Sequence, residues 1–565
     1  MLDRSRGALR QSNQTTVLSG FVISSDTSVQ HAIDVSRLPW IRRLAADYAS
    51  NFSTLATFFA GDPSAASDWR SAIARRATVR PPAEFADVLV AQQDGREAPP
   101  EAAAAVERLR SPDTIAIVTG QQAGLFGGPL YTLLKTLTAI QLAARAAQTY
   151  GVPAVPVFWI DAEDHDWEEV GSCAVLDADG HLQRLTLTPP PGAGAVPIGA
   201  LKIGADVERV LDALSATLPP TEFTGAILDQ LRGAYPRGAG MADAFGRWLE
   251  AVLGRHGLIV FDSSDPAAKP FVRGLFEREL RHVRTAALAT EAGAALTAEG
   301  YHAQVTPHPN SVALFHVDGA RTAIRRTADG FTVGDRAADA DELIGTLERQ
   351  PEQFSPNVLL RPLVQDSLFP TVCYVAGPSE LAYLAQLKTV YEHFELPMPL
   401  IHARDSATLI DSANFKFLAR HNLPFEALQP QDDATLNRLL AAQLPASVEQ
   451  AIDDARLTLQ ARLGTIASVV PAVDPTLAGA ARSTLGRMEK DLKTLHHKVL
   501  QAAKRRDETL RRQFTRARAQ AFPDGHPQER TLGFIGFLNR YGPALVDRLL
   551  AELPLDPRHH WLITP

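Results

Sequence analysis

A chain of 565 residues with ordinary hydrophobic (45%) and charged (21%) fractions is too long for one simple core, so it predicts two or three globular domains. Its net charge of −8 and pI near 6.1 argue against a general nucleic-acid or membrane-surface role. The two cysteines, Cys173 and Cys373, exclude a disulfide framework and an all-cysteine zinc site. The polar start, MLDRSRGALRQSNQ, and the lack of a long apolar run predict a cytoplasmic protein without a secretory signal or membrane span.

Residues 114–166 form the segment around which the chain is organised. The run TIAIVTG (114–120) is apolar and β-branched, and the glycine turn QQAGLFGGPLY (121–131) follows it. An amphipathic helix and a second apolar strand, PAVPVFWI (153–160), complete the pattern. A strand, a tight turn and a helix make up half of a nucleotide-binding α/β sheet, whose ligands bind at the carboxyl ends of the strands. We therefore predict the active site at this edge.

The glycine turn is a candidate anion site, because the start of the following helix presents free backbone N–H groups and a positive dipole end. Its GxxxGG spacing matches neither the Walker pattern nor the dinucleotide pattern GxGxxG, so an ordinary strand-to-helix connection is an equally good interpretation. Lys135, one turn into the helix, points either at this site or at solvent. The substrate- or nucleotide-binding residues predicted here are Gln121, Gln122, Gly124, Gly127, Gly128, Tyr131 and Lys135.

An acidic cluster, DAEDHDWEE (161–169), follows the second strand directly. Its histidine lies between two aspartates, and neighbouring carboxylates orient an imidazole ring for proton transfer. A solvated acidic loop is the alternative, and a metal site is not predicted, since only one histidine is local and no HxxxH spacing occurs. The predicted catalytic residues are His165, Asp164 and Asp166, with substrate contacts from Trp159, Asp161 and Glu163.

The middle of the chain repeats the pattern of a buried strand followed by an acidic turn, and two other segments interrupt it. LIVFDSSDPAAK (258–269) is again a buried strand followed by an acidic turn, which indicates a parallel sheet of βα units. Alternating segments near 172–205 and 311–334, the second with Asp-Gly turns, indicate antiparallel strands. We therefore predict insertions into the sheet domain at about 172–240 and 300–345.

A second dense region, 354–394, carries charges in an apolar context. Arg361 and Asp366 lie in such a run, and buried charges require a partner or a ligand. LFPTVCYVAG predicts a strand ending at Gly377, after which Pro378 begins one helix reaching Phe394. Ordinary helix packing is the alternative interpretation for the polar side chains of this helix. The predicted binding residues are Arg361, Asp366, Tyr374, Gly377 and Glu380.

The last part of the chain is helical. Apolar residues spaced by three and four from Ile452 to Val470 and from Leu485 to Ala502 predict two long helices in an antiparallel hairpin. Leu510 and Phe514 remain without an intrachain neighbour in this scheme, so we assign them to a partner chain. The predicted domains are a core at 1–425, a coiled-coil hairpin at 426–520 and an apolar segment at 521–565 that packs back on the core.

Four of these segments together resemble the bacillithiol-biosynthesis cysteine-adding family, BshC. They are VTGQQAGLFGGPLYTLLKTLTAI, PVFWIDAEDHDWEEV, SPNVLLRPLVQDSLFPTVCYVAGPSELAYLAQLKTVYEHFELPMP and HPQERTLGFIGFLNRYG. The resemblance runs from about residue 20 to the end of the chain. It implies an α/β fold with a Rossmann-like parallel-sheet core, inserted connecting segments and a C-terminal α-helical antiparallel coiled coil through which a homodimer forms.

The same resemblance implies a ligase that joins the carboxyl group of L-cysteine to the amine of glucosaminyl-malate, in the last step of bacillithiol synthesis. It also implies an adenine nucleotide, ATP or ADP, as co-substrate. On this hypothesis the 121–128 backbone and Gln122 bind the nucleotide or a developing oxyanion. His165 takes the proton from the amine, and Arg361 binds the malate carboxylates.

Two other functions fit the residues. One is a nucleotidyl-transferase-like enzyme that acts on another small carboxylic acid. The other is a non-catalytic assembly protein, in which a coiled coil organises partners around a degenerate nucleotide fold.

Overall fold

A computed structural model describes residues 30–442, 446–506 and 508–565. Its β-strands follow in chain order. They are β1 (Gln30–Asp34), β2 (Ile115–Gln121), β3 (Ala154–Ile160), β4 (Ser172–Leu176), β5 (Leu182–Thr186), β6 (Ile259–Asp262), β7 (Ser311–Asp318), β8 (Ala320–Thr327), β9 (Gly330–Val333), β10 (Arg336–Ala338), β11 (Phe354–Pro356), β12 (Thr371–Ala376), β13 (Leu400–Ala403), β14 (Ser406–Leu409) and β15 (His559–Ile563).

The α-helices also follow in chain order, with strands, loops and 3-10 turns between them. They are α1 (Arg43–Ser50), α2 (Ala66–Ala77), α3 (Phe85–Arg96), α4 (Pro100–Leu109), α5 (Leu130–Tyr150), α6 (Trp167–Val170), α7 (Val207–Thr217), α8 (Thr224–Ala234), α9 (Met241–Leu253), α10 (Arg273–His282), α11 (Thr285–Ala298), α12 (Ala340–Arg349), α13 (Arg361–Leu368), α14 (Pro378–Leu384), α15 (Lys388–Phe394), α16 (Ser412–Arg420), α17 (Ala434–Ala441), α18 (Ala446–Val469), α19 (Leu477–Arg506), α20 (Glu508–Ala521), α21 (Gln528–Thr531), α22 (Phe534–Tyr541) and α23 (Ala544–Glu552).

A five-stranded parallel sheet with the order β13-β12-β2-β3-β6 forms the centre of the first unit. β2 and β3 pair along their whole length, from Ile115 opposite Ala154 to Gln121 opposite Ile160. All five strands run in one direction, so their carboxyl ends form a single edge. This order confirms the predicted α/β parallel-sheet core and places the predicted strands side by side.

Both faces of this sheet are covered, as expected for parallel strands. Ala116 and Val118 of β2 belong to an apolar cluster on one face, while Ile115 and Ile117 belong to a cluster on the other. This alternation follows from the two-residue period of a strand. Helix α5 is buried along most of its length, which explains its apolar content.

The two predicted antiparallel segments are present. β4 and β5 pair antiparallel, and β7 to β10 form a meander that β11 extends to five strands. A further small sheet has the order β1-β15-β14. Strand β15 therefore lies between β1 and β14, and β14 follows the last strand of the central sheet along the chain.

The chain forms two compact units. The described residues up to Leu409 and the segment Gln528–Pro565 make the first unit, and Ile410–Pro527 makes the second. The second unit contains the predicted helical hairpin, α18 and α19. No helix in the described part of the chain has both the length and the apolar character needed to span a bilayer.

The assignment of Leu510 and Phe514 to a partner chain is wrong. Both residues lie on α20, and only 2% and 1% of their surfaces are exposed within the single chain. Helices α16 and α17 of the same unit contact α20 and provide this burial. Leu510 and Phe514 therefore belong to an apolar core within the chain.

The single helix predicted from Pro378 to Phe394 is also wrong, since the chain breaks between α14 and α15. Gln386 lies at the break and is fully buried. Its amide accepts from the N–H groups of Gln304 and Val305 and donates to the carbonyls of Ala289 and Val305. These bonds tie the chain at the break to α11 and to the segment that follows α11.

Asp405, between β13 and β14, makes stability depend on pH. It is fully buried, accepts the N–H of Asp556 at 3.1 Å, and its Oδ2 has no partner in the described structure. Burial raises the pKa of this carboxyl to about 7. A folded-state pKa above the unfolded value means that its contribution is complete below the unfolded pKa and is lost as pH rises through 7.

We therefore expect Asp405→Asn to gain stability over the unsubstituted protein as pH rises from 5 to 8, by about 2–3 kcal/mol. Urea midpoints measured across this range provide the readout. Asp229→Asn, which changes an exposed carboxyl, is the control. Parallel pH profiles for Asp405→Asn and the unsubstituted protein would contradict the expectation.

Candidate functional site

A cavity of about 320 Å³ lies at the carboxyl edge of the central sheet. Strands β2, β3, β12 and β13 each deliver residues to it from the positions where they end. This is the edge at which ligands of open α/β sheets bind. Its principal lining residues are Gln121, Gln122, Tyr131, Lys135, Trp159, Asp161, Glu169, Arg361, Tyr374, Gly377, Glu380, Tyr383, Arg404 and Arg530.

The centre of the cavity wall is an ion pair between Lys135 and Glu380. Lys135 Nζ lies 2.6 Å from the Glu380 carboxylate and also donates to the carbonyl of Gly120 at 2.5 Å. Burial lowers the pKa of the Lys135 ammonium. Burial alone would raise the pKa of Glu380, but the charge of Lys135 and bonds from Tyr374 and the Gly377 N–H hold it below its usual value.

Glu380 reaches this position because it occupies the first turn of α14. Its side chain accepts the N–H of Gly377 at 2.6 Å, which makes half of a capping box. Pro378 at the start of the helix has no N–H to satisfy. The three predicted residues Tyr374, Gly377 and Glu380 thus lie together at the end of β12.

Arg361 occupies the β3 side of the cavity. Its Nη2 donates to the Tyr383 hydroxyl at 3.1 Å, and its Nε lies 3.7 Å from the Asp161 carboxylate. Burial raises the pKa of Asp161, and the positive charge of Arg361 opposes that shift. Trp159 also contributes to the lining, but its indole ring packs against Phe261 and Phe369 in the core, and its buried Nε1 has no hydrogen-bond partner in the described structure.

The acidic cluster separates into side chains with different partners. Glu163 is buried in an ion pair with Lys269, and Asp164 accepts from Gln122 Nε2 at 2.6 Å and lies 3.5 Å from Arg321. Asp166 accepts the N–H of Glu169 and caps α6. Asp161 and Glu169 are therefore the carboxylates of this cluster that reach the cavity.

His165 is placed beside this cavity, in a separate depression. That depression has a volume of about 520 Å³ and is lined by Asp164, Asp166, Trp167, Glu168 and the loop at Pro189. His165 Nδ1 lies 3.2 Å from Asp164, and 44% of its side chain is exposed. The three residues predicted as catalytic are close to one another, and Asp164 connects them to the cavity through Gln122.

The glycines of the turn lie in the core beneath the site. Gly124, Gly127 and Gly128 surround Leu125 and Phe126, which are fully buried in an apolar cluster. Gly127 has φ +96°, and a β-carbon there would lie 2.3 Å from the ring of Phe534. The geometry therefore gives this turn a packing function, while the residues before and after it reach the cavity.

Asp366 lies away from the cavity, in the core. It accepts the Tyr391 hydroxyl at 2.5 Å and the side chain of Gln365 at 2.9 Å. Arg76 donates to the backbone carbonyl of the same residue. Asp366 and Arg361 lie close together in the sequence and share Gln365, which donates to Asp366 and accepts from Arg361 Nη1 at 3.3 Å.

Two cationic residues of the cavity were not predicted from the sequence. Arg404 follows β13 directly, as Asp161 follows β3, so a polar residue after a buried strand was the available signal. Arg530 arrives from α21 in the last part of the chain, and no local pattern marks it. Tyr383 also lines the cavity, and its hydroxyl accepts from Arg361 Nη2.

One cluster of potential metal ligands occurs among the described residues: Asp177, Asp179 and His181, in the turn between β4 and β5. Asp177 already accepts backbone N–H groups of Asp179 and His181. The cluster lies on the surface of a hairpin and has the bonding of an ordinary turn.

The fold and the cavity are those of an α/β enzyme whose candidate site lies at the carboxyl ends of parallel strands, with a second unit that contains a helical hairpin. Comparison with known proteins specifies the family. The model described as "Bacillithiol biosynthesis BshC, N-terminal Rossmann-like domain" matches residues 30–405, and that of the BshC C-terminal coiled-coil domain matches residues 407–564. The chain belongs to the BshC family of bacillithiol biosynthesis and is a ligase.

Curated relatives named "Putative cysteine ligase BshC" match along most of their length. The protein from Salinibacter ruber is 36% identical over 532 residues, covering 92% of this chain and 96% of the relative. The Koribacter versatilis protein is 34% identical and covers 94% and 99%. The Chlorobaculum tepidum protein is 35% identical and covers 79% and 82%.

Proposed function

We propose that this enzyme forms an amide bond between the carboxyl group of L-cysteine and the amine of glucosaminyl-malate, as the last step of bacillithiol synthesis in the cytoplasm. The observation that carries the proposal is the cavity at the strand ends. It holds buried cationic groups, among them Arg361 and Arg404, beside the carboxylates Asp161 and Glu169. The two substrates carry carboxylates and ammonium groups, and the cavity offers partners of both charges.

The proposed positions of the substrates follow from these charges. Arg361 supplies donors for the malate carboxylates at the β3 side. Asp161 and Glu169 supply acceptors for the ammonium groups. The Lys135–Glu380 pair holds the strand ends between these groups in position.

The chemistry needs an activated carboxylate, because a free carboxylate and an amine do not condense at neutral pH. We propose ATP as the donor. The cysteine carboxylate attacks a phosphorus atom and displaces either ADP, giving an acyl phosphate, or pyrophosphate, giving an acyl adenylate. The neutral amine then attacks the carbonyl carbon and loses a proton, and phosphate or AMP leaves with the electron pair of the broken bond.

Purified protein incubated with ATP, L-cysteine and glucosaminyl-malate tests the proposal. We expect a product dependent on all three substrates, and the accumulation of AMP or ADP identifies the intermediate. ATP cleavage that requires another small acid would support a nucleotidyl-transferase-like enzyme. No turnover, together with an unchanged thiol pool in a deletion strain, would support a non-catalytic assembly protein.

Two groups are candidates for the base that takes the amine proton, His165 and Glu169. Glu169 lines the cavity, and burial together with neighbouring Asp166 raises the pKa of its carboxyl, which makes it a stronger base. We expect Glu169→Gln to lower kcat by about 100-fold or more and His165→Ala by less than about 10-fold. Steady-state kinetics at saturating ATP decide between them. A larger loss in His165→Ala would assign the proton transfer to the histidine instead.

We also propose that the hairpin mediates a homodimer. Leu457, Val469, Met488 and Leu495 on α18 and α19 are between 41% and 59% exposed in the single chain. Exposed apolar residues at helical spacing are typical of coiled-coil contacts. We expect a dimer at micromolar concentration in sedimentation velocity, and a monomer when Leu457 and Leu495 are both changed to glutamate. Ser483→Glu is the control, and a monomeric unsubstituted protein would contradict the proposal.

A further inference from the structure

The cavity has a guanidinium group at each of its two sides. Arg361 lies with Asp161 at the end of β3, and Arg404 follows β13. β12 and β2 lie between these strands in the sheet order. Strands β3 and β13 are three spacings of ~4.8 Å, about 14 Å, apart, and the two arginines reach the cavity from different elements.

On the Arg404 side of the cavity, Glu529 from the C-terminal part of the chain binds the arginine. Nη1 and Nη2 of Arg404 donate to the two carboxylate oxygens of Glu529 at 2.8 and 2.7 Å. The Glu529 carboxylate also accepts from Ser406 Oγ at 3.1 Å and from the Ala407 N–H at 3.2 Å. Only 4% and 3% of the two charged side chains are exposed. Glu529 therefore fixes the plane of the Arg404 guanidinium.

Arg530, the residue after Glu529, adds a second guanidinium. Helix α21 is held in place by Gln528, whose amide accepts the N–H of Leu409 and donates to its carbonyl, both at 2.8 Å. Arg530 is exposed and lines the cavity from this helix. Tyr131 lines the same cavity, and the Arg404 guanidinium lies 5.8 Å from the centre of its ring.

We propose that Arg404 and Arg530 form a subsite for a phosphate-bearing anion, with Glu529 as its positioning residue, while the Arg361 side binds carboxylates. The proposal rests on the proposed function, in which a phosphorylated donor and a dicarboxylate share the cavity. Paired guanidinium groups match the oxygens of a phosphate in a bidentate manner. The side at Arg530 is open to solvent and admits a bulky group, whereas Arg361 is enclosed by Asp161, Tyr383 and Tyr374.

Titration calorimetry of the full chain with inorganic pyrophosphate and, separately, with L-malate tests this assignment. Arg530→Gln is expected to weaken pyrophosphate binding by about 10-fold to 100-fold and to leave malate binding within about 2-fold. Arg361→Lys is expected to do the reverse. Arg237→Gln removes the same charge from an exposed position outside the cavity and is the control. Glu169→Gln removes the nearby opposing charge and is expected to tighten pyrophosphate binding.

The Glu529→Gln variant tests whether Glu529 positions Arg404 for ligand binding or only stabilises the fold. We expect weaker pyrophosphate binding by about 10-fold, with malate binding and the circular dichroism spectrum unchanged. Equal weakening of both ligands, or equal effects of Arg530→Gln and Arg237→Gln, would overturn the subsite. So would an unsubstituted protein that does not bind pyrophosphate at millimolar concentration. If the variants selectively lose pyrophosphate or malate binding as expected but the protein has no ligase turnover, only the proposed function is rejected. If the protein turns over but the variants do not show this selective loss, only the subsite is rejected.

Discussion

Replacing Arg361 with lysine is expected to lower kcat/KM for glucosaminyl-malate by about 100-fold or more. The guanidinium bonds to Tyr383 and Gln365 and lies 3.7 Å from Asp161, and it is 7% exposed. A lysine ammonium keeps the charge but cannot bind a carboxylate in a bidentate manner while retaining these neighbours. Initial rates at varied glucosaminyl-malate and saturating ATP and cysteine measure the effect.

Arg96→Lys is the matched control for this prediction. Arg96 is also buried and bonds in a bidentate manner, to Glu250 at 2.9 and 3.0 Å, but it lies outside the cavity. Its replacement is expected to lower the unfolding midpoint and to leave the KM for glucosaminyl-malate unchanged. Equal losses of kcat/KM in the two variants would show that Arg361 acts through stability and would remove it from the substrate site.

Gly127→Ala is expected to destabilise the first unit by about 3 kcal/mol or more. The added β-carbon would lie 2.3 Å from the Phe534 ring and 2.9 Å from Trp248 Nε1, at a φ of +96°. Phe534 and Trp248 are stacked and buried, so neither ring can move without opening the core. Urea unfolding followed by tryptophan fluorescence gives the change in midpoint.

Gly151→Ala provides the comparison, because it measures the free-energy cost of a positive φ without a steric clash. Gly151 ends α5 with φ +66°, and a β-carbon there meets no atom within 4 Å. We expect a loss of about 1 kcal/mol. Similar losses at Gly127 and Gly151 would contradict the close contact with Phe534. Retained pyrophosphate binding by folded Gly127→Ala would support a packing function for the glycine turn, rather than the direct anion binding that its position before a helix suggested.

The strands and helices around residues 114–160 were predictable because their signals are local. β-branched apolar runs that end in glycine, and a helical pattern between them, need no knowledge of the rest of the chain. The same holds for α18 and α19, whose three-and-four spacing indicates a hairpin. Leu510 and Phe514 show the limit of this approach. Periodicity shows that a face is apolar but not whether the same chain or another one covers it.

The candidate site was predictable where a side chain follows a buried strand. Gln121, Asp161, Tyr374 and Glu380 all lie at strand ends or one turn beyond, and the structure brings them into one cavity. Gly124, Gly127 and Asp366 were singled out for composition and spacing, and the structure places them in the core. The difference arises because neither the spacing nor the type of these residues predicts whether they face the cavity or the core.

The sequence by itself determined the parallel α/β core, the helical hairpin and the family to which the chain belongs, because these depend on periodicity and on long contiguous motifs. Only the tertiary structure decided the order of the strands and the partners of the buried charges. Arg361 meets Asp161, Lys135 meets Glu380, and Arg404 meets Glu529 across separations of more than a hundred residues. Each pairing exists because burial makes an isolated charge costly, and folding alone determines which opposite charge is within reach.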